Sequence, residues 1–224
     1  MTKTIDLNRK NISEDKIRNM LREKGLGNLL LDDKTLLESR RSFIPDNNKI
    51  NKDVWLFGYG SLIWNPVIEI EETIIAKVFG YHRKFCLKTQ IGRGNEENPG
   101  LVLGLEKGGS TSGLALKINS LNAASELDLV WRREMITGAY KPVKLLGHTE
   151  KGNIEMIVFV INKNHTNYIG KISEDKTASI ISNARGFLGS GKDYLDKTIE
   201  SLMKLGINDS YLSRLQNRIM QQNF

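Results

Sequence analysis

The feature that most constrains this chain is the run Val54-Trp55-Leu56-Phe57, closed by Gly58-Tyr59-Gly60-Ser61. Consecutive apolar residues with no polar alternation describe a strand buried on both faces, and the glycines that follow describe a turn. Before it lies the polar, Asn-rich stretch Asp46-Asn47-Asn48-Lys49-Ile50-Asn51-Lys52-Asp53, which reads as a linker. Residues 1–52 are therefore expected to form a helical N-terminal extension with its linker. Residues 53–224 are expected to form the main domain. Within the extension, Ser13 is the expected N-cap of a helix with the apolar stripe Ile17, Met20 and Leu21. From Val54 to about residue 161 short branched segments dominate: Ile74 to Val78, Tyr81 to Leu87, Leu101 to Leu105, Gly113 to Ile118, Val143 to Leu146 and Met156 to Ile161. One helix, roughly Leu121 to Ile136, interrupts them. Three more follow, near Ser173 to Ala184, Asp193 to Leu205 and Asp209 to Met220, with Gly186 and Gly206 where C-caps would fall. The pattern predicts an α+β fold, a small mixed sheet or barrel with helices before, within and after it.

A length of 224 residues allows one domain with a core plus an appendage. No apolar stretch is long enough to span a bilayer, and the N-terminus lacks the apolar core of a signal peptide. The single cysteine, Cys86, excludes an internal disulfide framework and a thiolate metal cluster, and fits a reducing, cytoplasmic setting. The net charge of +7 is spread along the chain without interleaved aromatic residues, which argues against a nucleic-acid partner and is compatible with an anionic small molecule.

Several motifs fail on inspection. Gly186 to Lys192 has the spacing of a phosphate-binding loop, but Asp193 stands where the Ser or Thr hydroxyl is needed. Gly58-Tyr59-Gly60 is followed by Ile63 in place of the third glycine of a dinucleotide fingerprint. The three histidines, His82, His148 and His165, have no metal-ligand spacing. Ser61 lacks the second glycine of a nucleophile elbow, and no His–acid pair accompanies it.

Two features carry chemistry. Glycines at 58 and 60 let successive backbone N–H groups converge on a carboxylate or a developing oxyanion, although a plain tight turn satisfies the same pattern. In the helix, Ala123, Leu127 and Val130 form a core-facing stripe, and Glu134 is its next position, with Arg132 and Arg133 expected on other sides. Burial would raise the carboxyl pKa towards the range in which it serves as base and then acid. The alternative is a fraying helix end near Gly138 at which Glu134 pairs with a nearby cation.

The segments Phe57 to Pro66, Gly80 to Leu87 with Gly92-Arg93-Gly94 and Pro99-Gly100, and Trp131 to Tyr140 together resemble the ChaC family of glutathione-specific γ-glutamylcyclotransferases, from about Trp55 to the C-terminal helices. The resemblance implies a γ-glutamylcyclotransferase-like compact mixed β-barrel flanked by helices. It also implies that glutathione is cleaved to 5-oxoproline and Cys-Gly with Glu134 as general acid/base. It maps the substrate-binding turn onto Leu56, Phe57, Gly58, Tyr59, Gly60 and Ser61, and places Arg93, Tyr140 and Tyr194 near the pocket. Before Tyr194-Leu195, the residues Gly191-Lys192-Asp193 depart from the family's more usual Asn-x-Glu. No metal or cofactor, no nucleic acid and no membrane partner is implied; the expected protein is a cytoplasmic monomer acting on a small molecule. A non-catalytic γ-glutamyl-binding module, or a cyclotransferase for other γ-glutamyl compounds, are the competing readings.

Overall fold

The two-sided burial expected of the first core strand is what organises the molecule. The structure, a computed structural model, describes residues 6–45 and 53–222; the linker expected at 46–52, and with it the proposed domain boundary, lies outside the described residues. Strand β1 (Val54–Gly58) sends Phe57 into one hydrophobic cluster and Leu56 into another, both fully buried. Alternate side chains of a strand point to opposite faces, so an unbroken apolar run results where both faces are covered.

β1 belongs to a closed barrel with β2 (Glu72–Thr89), β3 (Gly100–Ile118), β4 (Tyr140–Thr149) and β5 (Gly152–Ile161), in the order β1-β3-β2-β4-β5. The neighbours are antiparallel except β1 and β5, which close the barrel in parallel through Leu56 and Ile157. The four short segments expected between residues 74 and 118 are really two long strands. β2 slips register between Phe79 and Tyr81 and between Phe85 and Leu87, leaving Gly80 (φ +82°) and Cys86 as unpaired bulge residues. Bulges bend a strand without ending it, so the break at Gly80 looks like a turn in the sequence, whereas the one at Cys86 leaves no sequence break.

The helices cover the barrel on two sides. Helices α5 (Glu174–Asn183), α6 (Gly191–Lys204) and α7 (Ser210–Gln222) pack Ala178, Leu195, Leu202 and Leu215 against the cluster that contains Phe57, Phe85 and Val158. On the other side, α1 (Arg9–Ser13), α2 (Lys16–Glu23) and α3 (Asp33–Arg41) of the extension share a core with α4 (Ala123–Glu134) and β1. Ile12, Ile17, Leu21 and Leu36 are buried there, each contributing about 1.5–3 kcal/mol. The extension is thus a wall of the same core, in place of a loose appendage. Ser13 is the last residue of α1 and caps nothing; Asn8 caps α1, accepting from the Asn11 N–H, and α2 is preceded by Asp15 in the left-handed region (φ 55°). Gly206 (φ +71°) follows α6 as expected, whereas Gly186 lies in the short hairpin β6 (Arg185–Gly186) and β7 (Gly189–Ser190).

Candidate active site

The helix α4 ends inside a cavity of ≈ 300 Å³ whose lining includes Ser61, Trp64, Arg93, Arg133, Glu134, Tyr140 and Tyr194. Glu134 is the last helical residue, and its side chain is 14 % exposed. Desolvation by burial raises its pKa, against the opposing pull of the Arg133 guanidinium. A second buried carboxylate on the same helix behaves in the opposite way. Burial works against the ionised form of Glu126 too, but hydrogen bonds from Arg9 (2.6 and 2.7 Å) and from the Glu69 N–H (3.0 Å) outweigh it and lower the pKa. Glu126 is a structural anion; Glu134 is a carboxyl poised to exchange a proton.

Arg133 is the site residue that the sequence reading placed on the wrong side. Its guanidinium is buried, lies 2.9 Å through Nε from Glu134 Oε1, and donates through Nη2 to Ser61 Oγ (2.8 Å) and through Nη1 to the Asn65 carbonyl. The signal was present: Arg133 and Glu134 stand three and four residues after Val130, and both spacings return to the same helix face. The ion pair expected of a fraying helix end therefore exists, but in a buried place, where it fastens the carboxylate to the turn after β1.

That turn passes from β1 into a single 3₁₀ turn, Ser61–Ile63, with Ile63 donating to the Gly60 carbonyl and Asn65 to the Ser61 carbonyl. Of its residues Ser61 lines the cavity. Leu56, Phe57 and Tyr59 have buried side chains in the core, where the Tyr59 hydroxyl donates to the Phe159 carbonyl (2.8 Å), so these residues and the two glycines can face a ligand only through backbone. A Cβ at Gly60 would stand 3.0 Å from the Tyr194 hydroxyl. The absent side chain lets the turn and the tyrosine meet. Behind the turn, buried Arg83 donates to the carbonyls of Tyr59 and Ser112 and pairs with Asp209 at the start of α7. Arg83 belongs to the Gly80 to Leu87 motif, which had carried no assigned role.

The tyrosines do not compete for protons. Burial first, and the negative charge of Glu134 second, push the Tyr194 hydroxyl up to about 12. Burial also raises Tyr140, whose hydroxyl donates to the Leu103 carbonyl (2.6 Å), and Tyr59. Burial likewise pushes the Cys86 thiol up to about 12, so it is an inert core residue. Arg93 lies across Tyr194 (5.5 Å) and Trp64 (5.9 Å), within reach of a cation–π contact. Its backbone is fixed by glycines: Gly94, Gly100 and Gly186 all pack where a Cβ would fall within 2.3 Å of backbone atoms. Asp193, the residue that spoiled the phosphate-loop motif, completes a capping box with Ser190 at the start of α6 and so orients the helix that carries Tyr194.

The extension contributes more than expected. Ile12, Asp15, Ile17, Arg18 and Leu29 line the same cavity, and Arg132 donates to Asp15 (2.8 Å). The burial that makes these site residues arises only when segments more than a hundred residues apart are packed together.

The family model described as "ChaC-like protein" matches residues 54–222. The chain belongs to the ChaC family. It is 38% identical over 175 residues to the glutathione-specific γ-glutamylcyclotransferase of Escherichia coli, covering 76% of each chain. It is 25% identical over 182 residues to glutathione-specific γ-glutamylcyclotransferase 1 of Homo sapiens, covering 78% of this chain and 82% of the human one. Among solved structures, a yeast γ-glutamyl cyclotransferase specific to glutathione superimposes with a TM-score of 0.72 at 22% identity, covering 76% of this chain and 97% of the yeast one. The barrel with its flanking helices is therefore the ChaC fold. The match begins at residue 54, so α1 to α3 lie outside the segment that defines the family.

Proposed function

We propose that this chain is a glutathione-specific γ-glutamylcyclotransferase with Glu134 as its general acid and base. The observation that carries the reading is the placement of Glu134: a buried carboxyl with a raised pKa, fastened by Arg133 to the Ser61 turn and facing a cavity of ligand size. Among the described residues, five cationic side chains, Arg18, Lys88, Arg93, Arg132 and Arg133, and two carboxylates, Asp15 and Glu134, line that cavity, which suits a substrate bearing two carboxylates.

In the proposed reaction the α-amine of the glutamyl residue attacks its own γ-carbonyl. A C–N bond forms to close the five-membered ring, the γ-amide C–N bond breaks, and 5-oxoproline and Cys-Gly leave. Glu134 takes the proton that the attacking amine sheds and returns it to the departing amine of Cys-Gly. Because the attack is intramolecular, the cavity has only to fold the glutamyl arm into reach. The backbone from Leu56 to Ser61, above all the N–H groups of Gly60 and Ser61, receives the glutamyl carboxylate or the oxyanion. Arg93, Tyr140 and Tyr194 close the pocket around it; the neutral Tyr194 hydroxyl serves as a hydrogen-bond donor, while the Tyr140 proton is held by the Leu103 carbonyl. No helix among the described residues is long and apolar enough to cross a membrane. A lone, buried cysteine fits a cytoplasmic enzyme.

The test is to incubate purified protein with glutathione and follow 5-oxoproline and Cys-Gly by chromatography, with Glu134→Gln beside it. Loss of a general base lowers turnover by about 10²–10⁴-fold. Equal activity in both proteins would remove Glu134 from the mechanism. Turnover of γ-glutamyl amino acids but not of glutathione would overturn the substrate assignment and leave the chemistry.

A further inference from the structure

Granted the cyclotransferase activity proposed above, on which this assignment depends, we propose that Arg18 of the N-terminal extension anchors the glycine carboxylate of glutathione. The extension thereby becomes part of the substrate site. Arg18 is 2 % exposed and lines the same cavity as Glu134 and Tyr194. Its Nη2 donates to the Leu31 carbonyl (2.7 Å) and lies 3.2 Å from Asp33 Oδ1. Its Nε and Nη1 are buried without a hydrogen-bond partner.

A guanidinium carries its donors in a rigid fork that matches a carboxylate. To leave part of that fork buried and unused is unfavourable, and in a cavity it marks a place reserved for an anion. The neighbouring acids do not fill it. Asp15 Oδ1 stands 3.5 Å from Arg18 Nε, but that oxygen already accepts from Arg132 at 2.8 Å, and Asp15 is also shared with Arg22 at 3.6 Å. Asp33 is 59 % exposed, where water screens it, and is shared with Arg132 at 3.6 Å. Two carboxylates thus serve three guanidiniums, and a third carboxylate completes the set.

The topology says which carboxylate arrives. With the glutamyl end held between the Ser61 turn and Glu134, the cysteinyl-glycine arm must run elsewhere in the cavity. There the wall built by the extension combines Leu7, Ile12, Ile17 and Leu29 with Asn11 and Asp15, the Asp15 carboxylate being already engaged by Arg132, and Arg18 is its buried cation. The wall is fixed to the catalytic helix: Leu31, whose carbonyl holds Arg18, donates its N–H to the Ile136 carbonyl just past Glu134 (3.0 Å). Arg18 and the general base therefore share one frame.

The test compares glutathione with glutathione amidated at its glycine, in the wild type, Arg18→Gln and Arg18→Lys, reading kcat and KM separately. In the wild type the amide is expected to raise KM by about 10–100-fold, the value of a charge-assisted hydrogen bond, with little change in kcat. In Arg18→Gln the two substrates should converge, and Arg18→Lys should restore part of the difference. Should Arg18→Gln not fold, the wild-type comparison and Arg18→Lys decide the matter. Equal KM for both substrates in the wild type, or undiminished discrimination in Arg18→Gln, overturns the assignment while cyclisation itself stands. A wild type that cyclises neither overturns the reaction and this assignment with it.

Discussion

Replacing Gly100 with alanine would set a Cβ 2.1 Å from the Arg93 carbonyl oxygen and 2.8 Å from its carbonyl carbon, with the Ala184 Cβ 3.2 Å away on the other side. To reach ordinary van der Waals contact the carbonyl would have to retreat by about 1.3 Å. The obstacle is backbone, so no side chain can swing aside. Overpacking of this kind costs about 1–3 kcal/mol, and the upper end applies where backbone must move. In a chain of this size about 3 kcal/mol lowers Tm by about 6–12 °C. The same displacement carries Arg93 off Tyr194 and Trp64, and a misplacement of about 1 Å at a reacting centre costs about 10²-fold in rate. Gly100→Ala should therefore lose about 10²-fold in kcat/KM for glutathione, measured at a temperature where circular dichroism shows the variant folded. Gly27→Ala is the control, because its Cβ meets nothing nearer than the flexible Arg22 side chain at 3.4 Å and the Arg22 Cα at an ordinary 3.7 Å; its Tm should stay within about 2 °C of wild type. Wild-type kcat/KM and Tm in Gly100→Ala would refute the claim that this close approach seats Arg93.

The raised pKa of Glu134 has two signatures. As a base it works ionised, so kcat/KM should climb with pH through a limb above the ordinary carboxylate value of about 4.3. In stability the sign is reversed: the folded state holds the proton more tightly than the unfolded chain. That contribution is complete below the unfolded pKa and is lost as pH rises through the folded one. The Tm of wild type relative to Glu134→Gln should accordingly fall over that window, and a flat difference would contradict the burial argument. Arg133→Met removes the cation that restrains this shift, so the acid limb should move to higher pH, tenfold in rate at fixed pH for each unit; an unmoved limb would show that Arg133 does not act on Glu134. Arg9→Met strips Glu126 of its charged partner while its carboxylate stays buried, and should cost about 1–3 kcal/mol by urea unfolding with kcat unchanged.

Much of this was legible in the residues, for physical reasons that can be named. The doubly buried β1 announced itself because Leu56 and Phe57 serve opposite cores. Glu134 was legible because a carboxylate on an apolar stripe needs a purpose. Arg133 was legible in principle by the i+3 spacing. The continuity of β2 was hidden, since the bulge at Gly80 mimics a strand end. Arg18 was not legible at all. Nothing in Lys16-Ile17-Arg18-Asn19 distinguishes a solvated arginine from a buried one, because Arg18 is buried by the packing of the folded extension, where the Leu31 carbonyl and Asp33 meet it.

The parallel seam between β1 and β5 has a consequence for how the site comes into being. Leu56 joins Ile157, and the Tyr59 hydroxyl reaches the Phe159 carbonyl across 100 positions of chain. Contacts of such separation must absorb the entropy of closing a long loop before they return any stabilisation, so they form late. The hairpins of β2 with β3 and of β4 with β5, and the C-terminal helices α5 to α7, can assemble while this seam is still open. The turn that faces Glu134 hangs from the end of β1, on the open side of that seam. Catalysis in this molecule is thus a report on closure: a chain that has built its local structure but not joined its first strand to β5 has a core in the making and no active site.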